Sequence, residues 1–331
     1  MRTTSEKLTS SQPMFAAQTL VVAGIAWAVL ALLFFLLFSV PESPGLGRPL
    51  WYSIGTLIFE LAAFLAAAIL CFRNWRSPQI VSGRNVWLAI GVGMLCYFLG
   101  GVLFGLWELY WNLAPDVSLG DFFYAITYIA LTIGMVLAVS GRKLNLEVWQ
   151  WAVLGAIALA GIALAYWLAV AEPIEVPEAA SPQAIEQVAP PANGSGTSAP
   201  APAPASSTPQ TAPGFILAID EALTPVAVYV NLFYVIMDVL LLILATALLL
   251  AFWGGRFSQS WRMIAAATFS LYIADMWFKY ADVRVANYES GSLLEVFWIF
   301  SAVLFGIGAV LEYDISTRSR SRGRRRGGSS D

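Results

Sequence analysis

Histidine is missing from this chain, charge is scarce and cysteine nearly so, and each shortage removes a class of function. With 331 residues and His 0, no imidazole is available to hold a haem or chlorophyll in a membrane bundle or to ligate zinc. Serine-type intramembrane proteases and membrane acyl transferases, which rely on a histidine base, fall with them. No cofactor, no metal and no catalytic residue is therefore expected, and the chain reads as a non-enzyme. Charged residues make up only 12% of the sequence, about half of what a soluble globular domain carries. The two cysteines, Cys71 and Cys96, fall at the inner end of one apolar run and inside the next. Neither is placed for an exported disulfide, and both read as small packing residues.

What is abundant is apolar length. Hydrophobic residues reach 59% and the mean hydropathy is +0.71. Eight apolar runs, at 17–40, 51–72, 86–107, 121–140, 148–170, 225–253, 261–283 and 293–312, each supply about the ~20 residues needed to cross a bilayer. The fold class is an all-α polytopic membrane bundle of eight transmembrane helices. The first run has no small-residue cleavage site behind it and exceeds a signal peptide's apolar region, so it reads as a retained span.

Basic residues set the orientation. Arg2 and Lys7 precede the first run, Arg73, Arg76 and Arg84 follow the second, Arg142 and Lys143 the fourth, and Arg256 and Arg262 the sixth. Six arginines, from Arg318 to Arg326, follow the eighth. The intervening connections are acidic with little base. The positive-inside rule then puts both termini in the cytoplasm. The domain plan is a cytoplasmic N-terminus (1–16), five spans (17–170), an external tether (171–213), three spans (214–312) and an Arg-rich cytoplasmic tail (313–331) expected to be disordered. The tether is built from Pro, Ala, Ser, Glu and Gln without a basic residue, a composition too polar to bury a core, and is expected to be disordered. Phe215 to Ile219 is expected to form a short interfacial helical turn before Pro225 opens the sixth span.

The sequence repeats itself at another boundary. Ser118-Leu-Gly-Asp121-Phe-Phe-Tyr124 matches Ser292-Leu-Leu-Glu295-Val-Phe-Trp298, and the same register sets Gly134 on Gly308, Glu108 on Asp282 and Phe104 on Phe278. Matching spans three and four to seven and eight implies a four-plus-four internal repeat of parallel units.

These residues also carry a family likeness. Ala114-Pro-Asp-Val-Ser118-Leu-Gly-Asp121-Phe-Phe-Tyr124-Ala-Ile-Thr-Tyr128 resembles the Pro-Ser-x-Ala-Asp-x-x-Tyr-Leu-x-x-Tyr signature of a bacterial seven-to-eight-span module. That module opens membrane-bound diguanylate cyclases and histidine kinases. Its second half carries an Ala-Asp within a helix, then Tyr and Gly before an acidic helix start. Ala274-Asp275, Tyr288, Gly291 and Glu295 fill that pattern. Two departures are Gly120, where the signature has Ala, and the lack of a cyclase or kinase sequence after the eighth run. The resemblance implies a sensory module of the bacterial inner membrane acting through a separate cytoplasmic kinase or cyclase.

Four charges lie within apolar runs, where each costs about 2.5–3.5 kcal/mol on insertion scales. Counting ~1.5 Å per residue puts Glu60 and Asp275 roughly 13 Å below the outer boundary, Asp238 roughly 15–20 Å and Lys279 roughly 8 Å. They line a polar cavity open to the outside, or they form internal contacts including an Asp275–Lys279 pair at i, i+4 spacing. A cavity admits a ligand-binding sensor; it equally admits a small transporter or channel. The Asp-x-x-x-Lys spacing is also that of microbial rhodopsins, but no arginine accompanies a third-helix counterion and an eighth span is present.

An outer rim of Glu108, Asp121, Asp282 and Glu295, with Tyr124 and Trp298 beside them, is the remaining candidate binding region. Asp121 and Glu295 also stand at helix starts, where a carboxylate caps exposed amides. Acidic charge at this end favours cations over anions. The aromatics there suit an interfacial belt or a flat cation stacked among them. Gly101 and Gly105, spaced small-xxx-small, predict close helix packing. The Arg-rich tail suits anchorage on anionic lipid; it has no aromatics for nucleic acid, so the expected partners are the bilayer and a signalling protein.

Overall fold

The computed structural model describes residues 12–40, 47–111, 113, 117–140, 147–170, 212–251, 258–285 and 288–327. Residues 1–11, nearly all of the tether (171–211) and 328–331 lie outside them. Among the described residues all regular structure is helical, so the chain is an all-α polytopic bundle. Its long helices are α1 (Gln12–Phe38), α2 (Leu50–Arg76), α3 (Arg84–Gly105), α4 (Leu119–Ser140) and α5 (Val148–Val170). After the tether come the ten-residue α6 (Gly214–Leu223), then α7 (Ala227–Ala251), α8 (Ser258–Arg284) and α9 (Val296–Gly327).

Seven helical stretches are long and apolar enough to cross a membrane. The eighth long helix, α8, is 27 residues long but less apolar, because it carries Arg262, Asp275, Lys279, Asp282 and Arg284. It packs between α7 and α9, and its two mid-helix charges, Asp275 and Lys279, line a cavity inside the bundle rather than facing lipid, as an intramembrane charge requires. The α6 segment and the 3₁₀ turn Thr224–Val226 fill the place expected of an interfacial turn ahead of the sixth span.

The tail departs from expectation. Residues 313–327, read from composition as disordered, continue α9 as helix. Two causes are visible. Glu312 and Ser316 are fully buried, held against the α2–α3 connection where Ser82 N donates to Glu312 Oε1 at 3.3 Å and Val81 N to Ser316 Oγ at 3.4 Å. Arg318 pairs with Asp314 at 2.9 Å one turn back, and arginine is itself a strong helix former.

Six helices, α2, α3, α4, α7, α8 and α9, make the centre; α1 packs on α9 and α2, and α5 on α7. The outward faces of α1 and α5, including Leu33, Leu37, Leu159 and Ile162, are exposed, as a lipid-facing surface should be. Tight crossings rest on glycine. A Cβ on Gly101 would stand 2.8 Å from Leu61 and one on Gly105 2.6 Å from Leu57, so the small-xxx-small pair does pack closely, against α2. A Cβ on Gly120 would lie 2.7 Å from the Gly100 carbonyl oxygen, which explains why glycine stands where the resembled signature has alanine.

Contacts recur at the register of the sequence match. On α4, a Cβ at Gly134 would meet Ile90 at 2.9 Å and the Val86 carbonyl at 3.4 Å; on α9, one at Gly308 would meet Ile264 at 2.8 Å and the Ser260 carbonyl at 3.2 Å. Each partner of the first set stands at the same offset from its counterpart in the second. Trp87 and Trp261 share that offset and face one another, rings 6.2 Å apart.

Candidate ligand-binding cavity

A capping box and a related serine–aspartate cap fix the end of the bundle that the charge pattern assigns to the outside. Ahead of α4, Ser118 N donates to Asp121 Oδ2 at 2.7 Å and Gly120 N to Ser118 Oγ at 3.1 Å. Ahead of α9, Gly291 N and Ser292 N donate to the Glu295 carboxylate at 2.6 and 3.1 Å, and Ser292 Oγ lies 3.0 Å from it. Gly291 has φ +105, a conformation that glycine adopts without steric cost, and its carbonyl accepts from Tyr52 Oη at 2.6 Å. The start of α9 is thereby tied to α2. Arg48 ties down the neighbouring connection: its backbone N donates to Glu289 Oε2 at 2.6 Å, and its guanidinium donates to Ser290 O at 2.8 Å and to Glu289 O.

Between these elements lies a cavity of about 260 Å³. Its floor and walls include Glu60 from α2, Tyr97 and Gly101 from α3, Tyr124 and Tyr128 from α4, and Asp275 from α8. Its mouth includes Glu108, on the π-helical turn Leu106–Tyr110 that ends α3, with Asp121 and Asp282. Of the four intramembrane charges, Glu60, Asp275 and Lys279 line the space. Asp238 does not: it is 2% exposed and sits behind Tyr128. Of the six rim residues, Glu108, Asp121, Tyr124, Asp282 and Trp298 line it. Glu295 is a correction. It is 4% exposed and turned into its own capping box, because two backbone amides and the Tyr288 hydroxyl claim its oxygens. Burial, followed by the Glu295 carboxylate, pushes the Tyr288 phenol above its ordinary range and so keeps it a donor.

The i, i+4 ion pair between Asp275 and Lys279 is not formed. Asp275 instead takes Trp298 Nε1 at 2.8 Å and stands 2.8 Å from Tyr128 Oη, which also stands 2.7 Å from Asp238 Oδ1. Lys279 Nζ lies over the Tyr234 ring at 5.1 Å, with Asn231 Oδ1 at 3.5 Å. Tyr234 Oη in turn donates to Asp121 Oδ1 at 2.7 Å. The walls are aromatic and braced: Phe64 stacks on Tyr97 at 3.7 Å, Tyr97 meets Tyr124 edge-on at 4.9 Å, and Phe278 lies 5.7 Å from Trp298.

Lining residues come in matched couples. The register that sets Tyr124 on Trp298 also sets Glu60 on Tyr234, Leu57 on Asn231 and Gly101 on Asp275, and all eight line the cavity. Tyr97, Tyr234 and Asn231 were not singled out from sequence. Extending the repeat register back into the second and sixth spans would have found Tyr234 and Asn231, since they fall opposite Glu60 and Leu57.

Chemically, the cavity offers carboxylates and aromatic faces, with one ammonium already stacked on a wall. Among the described residues no group of three acidic or cysteine side chains is close enough to hold a metal ion. No family model, no curated protein and no solved structure matches this chain.

Proposed function

We propose that the chain is a non-enzymatic sensory membrane module that binds a small cation-bearing ligand in this cavity and signals through a separate cytoplasmic kinase or cyclase. The observation that carries the reading is α9. Its first turn places Trp298 in the cavity wall, bonded to Asp275, and the same unbroken helix of 32 residues runs on to Gly327, past the apolar span that closes at Arg318. A ligand that alters the Trp298–Asp275 contact pushes directly on a rod whose other end is basic. The ligand class follows from the lining: acids outnumber the single lysine, and aromatic faces attract cations electrostatically. The likeness to the cyclase and kinase modules supports the same reading. The matched couples support descent by duplication of a four-span unit, with the cavity at the interface of the halves. In this reading the protein lies in a bacterial inner membrane with both termini cytoplasmic, and the arginines of α9 rest on anionic lipid.

A cavity between repeated halves is also where secondary transporters hold substrate, so flux decides between the two. Purified full-length protein in proteoliposomes is tested with a panel of aromatic amines. The sensor reading expects thermal stabilisation by at least one amine, lost in Glu60→Gln, with no uptake and with a kinase or cyclase co-purifying from the native membrane. Uptake that disappears in Asp275→Asn would replace the sensor by a transporter.

A further inference from the structure

We propose that Asp238, Tyr128 and Asp275 form a buried proton-binding site, one proton being shared by the two carboxyls through the tyrosine hydroxyl. Hydrogen count carries the argument. Tyr128 Oη stands 2.7 Å from Asp238 Oδ1 and 2.8 Å from Asp275 Oδ2, both hydrogen-bond distances, but a hydroxyl owns one hydrogen. It donates to one carboxylate only, and the second short contact requires a hydrogen carried by the other carboxyl.

The neighbours say which. Both oxygens of Asp275 face donors, Trp298 Nε1 on one and Tyr128 on the other, so Asp275 is held as the acceptor. Asp238 is 2% exposed, its second oxygen, Oδ2, is buried with no N–H or O–H donor against it, and the Asp275 carboxyl stands close enough to interact with it directly, a poor setting for two carboxylates. The proton therefore rests on Asp238, whose O–H donates to Tyr128, which donates to Asp275. Asp275 lines the cavity and Asp238 does not, so the proton exchanges through the cavity. In the exchange the Asp238 hydrogen passes to the Tyr128 oxygen as the Tyr128 hydrogen passes to Asp275, which leaves Asp238 the acceptor and Asp275 the protonated acid at the cavity wall, where the proton can leave to water; the reverse relay reloads Asp238.

Other ionisable groups press on the pair from every side. Lys279 on α8 acts on both acids. Glu60 on α2 and Tyr97 on α3 face Asp275, as do Tyr124 on α4 and Tyr234 on α7; Tyr272 on α8 faces Asp238. With one lysine among three membrane-embedded acids, a retained proton reduces the excess charge. The site does not depend on whether the cavity serves a sensor or a transporter.

Infrared spectroscopy of the full chain in lipid nanodiscs at neutral pH tests it. The expected spectrum holds the carbonyl stretch of a protonated carboxyl, which moves when the protein is grown on aspartate carrying heavy carbon in the side-chain carboxyl. That measurement needs no variant and so survives any folding defect. Among variants, Asp238→Asn should remove the part of the band that responds to labelled aspartate, Tyr128→Phe should shift that part, and Glu60→Gln should leave it in place. Absence of the band in the wild type, or a band that responds to labelled glutamate and not to labelled aspartate, would overturn the proposal.

Discussion

Replacing Glu295 by alanine tests whether the start of α9 is held by buried donors, and the magnitude can be worked from the contacts. The carboxylate accepts from two backbone amides, Gly291 N and Ser292 N, and from the Tyr288 hydroxyl, at a residue 4% exposed. Water cannot easily reach the donors left behind, and each buried donor without a partner costs about 1–3 kcal/mol. The two amides alone then give a loss of about 2–6 kcal/mol. Asp121 has the matched position but a different setting. It caps one backbone amide, Ser118 N, and lines the cavity, where water can replace it. Its alanine variant should lose an ordinary cap, about 0.5–2 kcal/mol, together with the hydrogen bond from Tyr234 Oη, whose hydroxyl faces the cavity and can turn to water there, and asparagine should retain most of both. Unfolding by titration with SDS in mixed micelles, followed by tryptophan fluorescence, measures both. Equal losses for the two variants, or a Glu295→Ala protein within about 0.5 kcal/mol of wild type, would refute the account, since a surface substitution costs no more than that.

Gly120→Ala forces a Cβ to 2.7 Å from the Gly100 carbonyl oxygen and should destabilise by about 1–3 kcal/mol, whereas Gly155→Ala, with nothing within 4 Å, should be silent in the same titration. Asn74→Leu removes the side-chain donor to Ala309 O at 2.8 Å, a fully buried tie between α2 and α9; a loss of about 1–3 kcal/mol is expected, and an unchanged midpoint would show that the tie contributes nothing. Single cysteines at Ser198 and Ser329 check the orientation in whole cells with a membrane-impermeant thiol reagent: the first should label and the second should not. A peptide of residues 313–331 should bind anionic vesicles, and Arg324→Ala, Arg325→Ala and Arg326→Ala together should weaken that binding by about 1 kcal/mol per residue removed if the end of α9 lies on lipid, with neutral vesicles unaffected.

The bundle was legible in the sequence because a membrane imposes one-dimensional rules. A span must be about 20 apolar residues whatever it packs against, so α2, α4, α5 and α7 begin and end within a few residues of their apolar runs. Acid–serine spacing marked the starts of α4 and α9 for the same reason: capping is local chemistry. The extension of α9 was not legible, because an arginine-rich stretch has the composition of a tail and becomes helix here where Glu312 and Ser316 are packed on another connection.

Depth along a helix is also written in sequence, and it brought Glu60 and Asp275 to one level with Lys279 about a turn above them; the angle about the helix axis is not. Whether Glu295 faces the cavity or its own amides, whether Lys279 meets Asp275 or lies over Tyr234, and which acid Tyr128 touches all depend on how α4, α7, α8 and α9 are rotated against one another. Packing sets those rotations. Close approaches such as Gly120 on Gly100 and Gly308 on Ile264 involve residues on different helices, and only the assembled bundle brings them together.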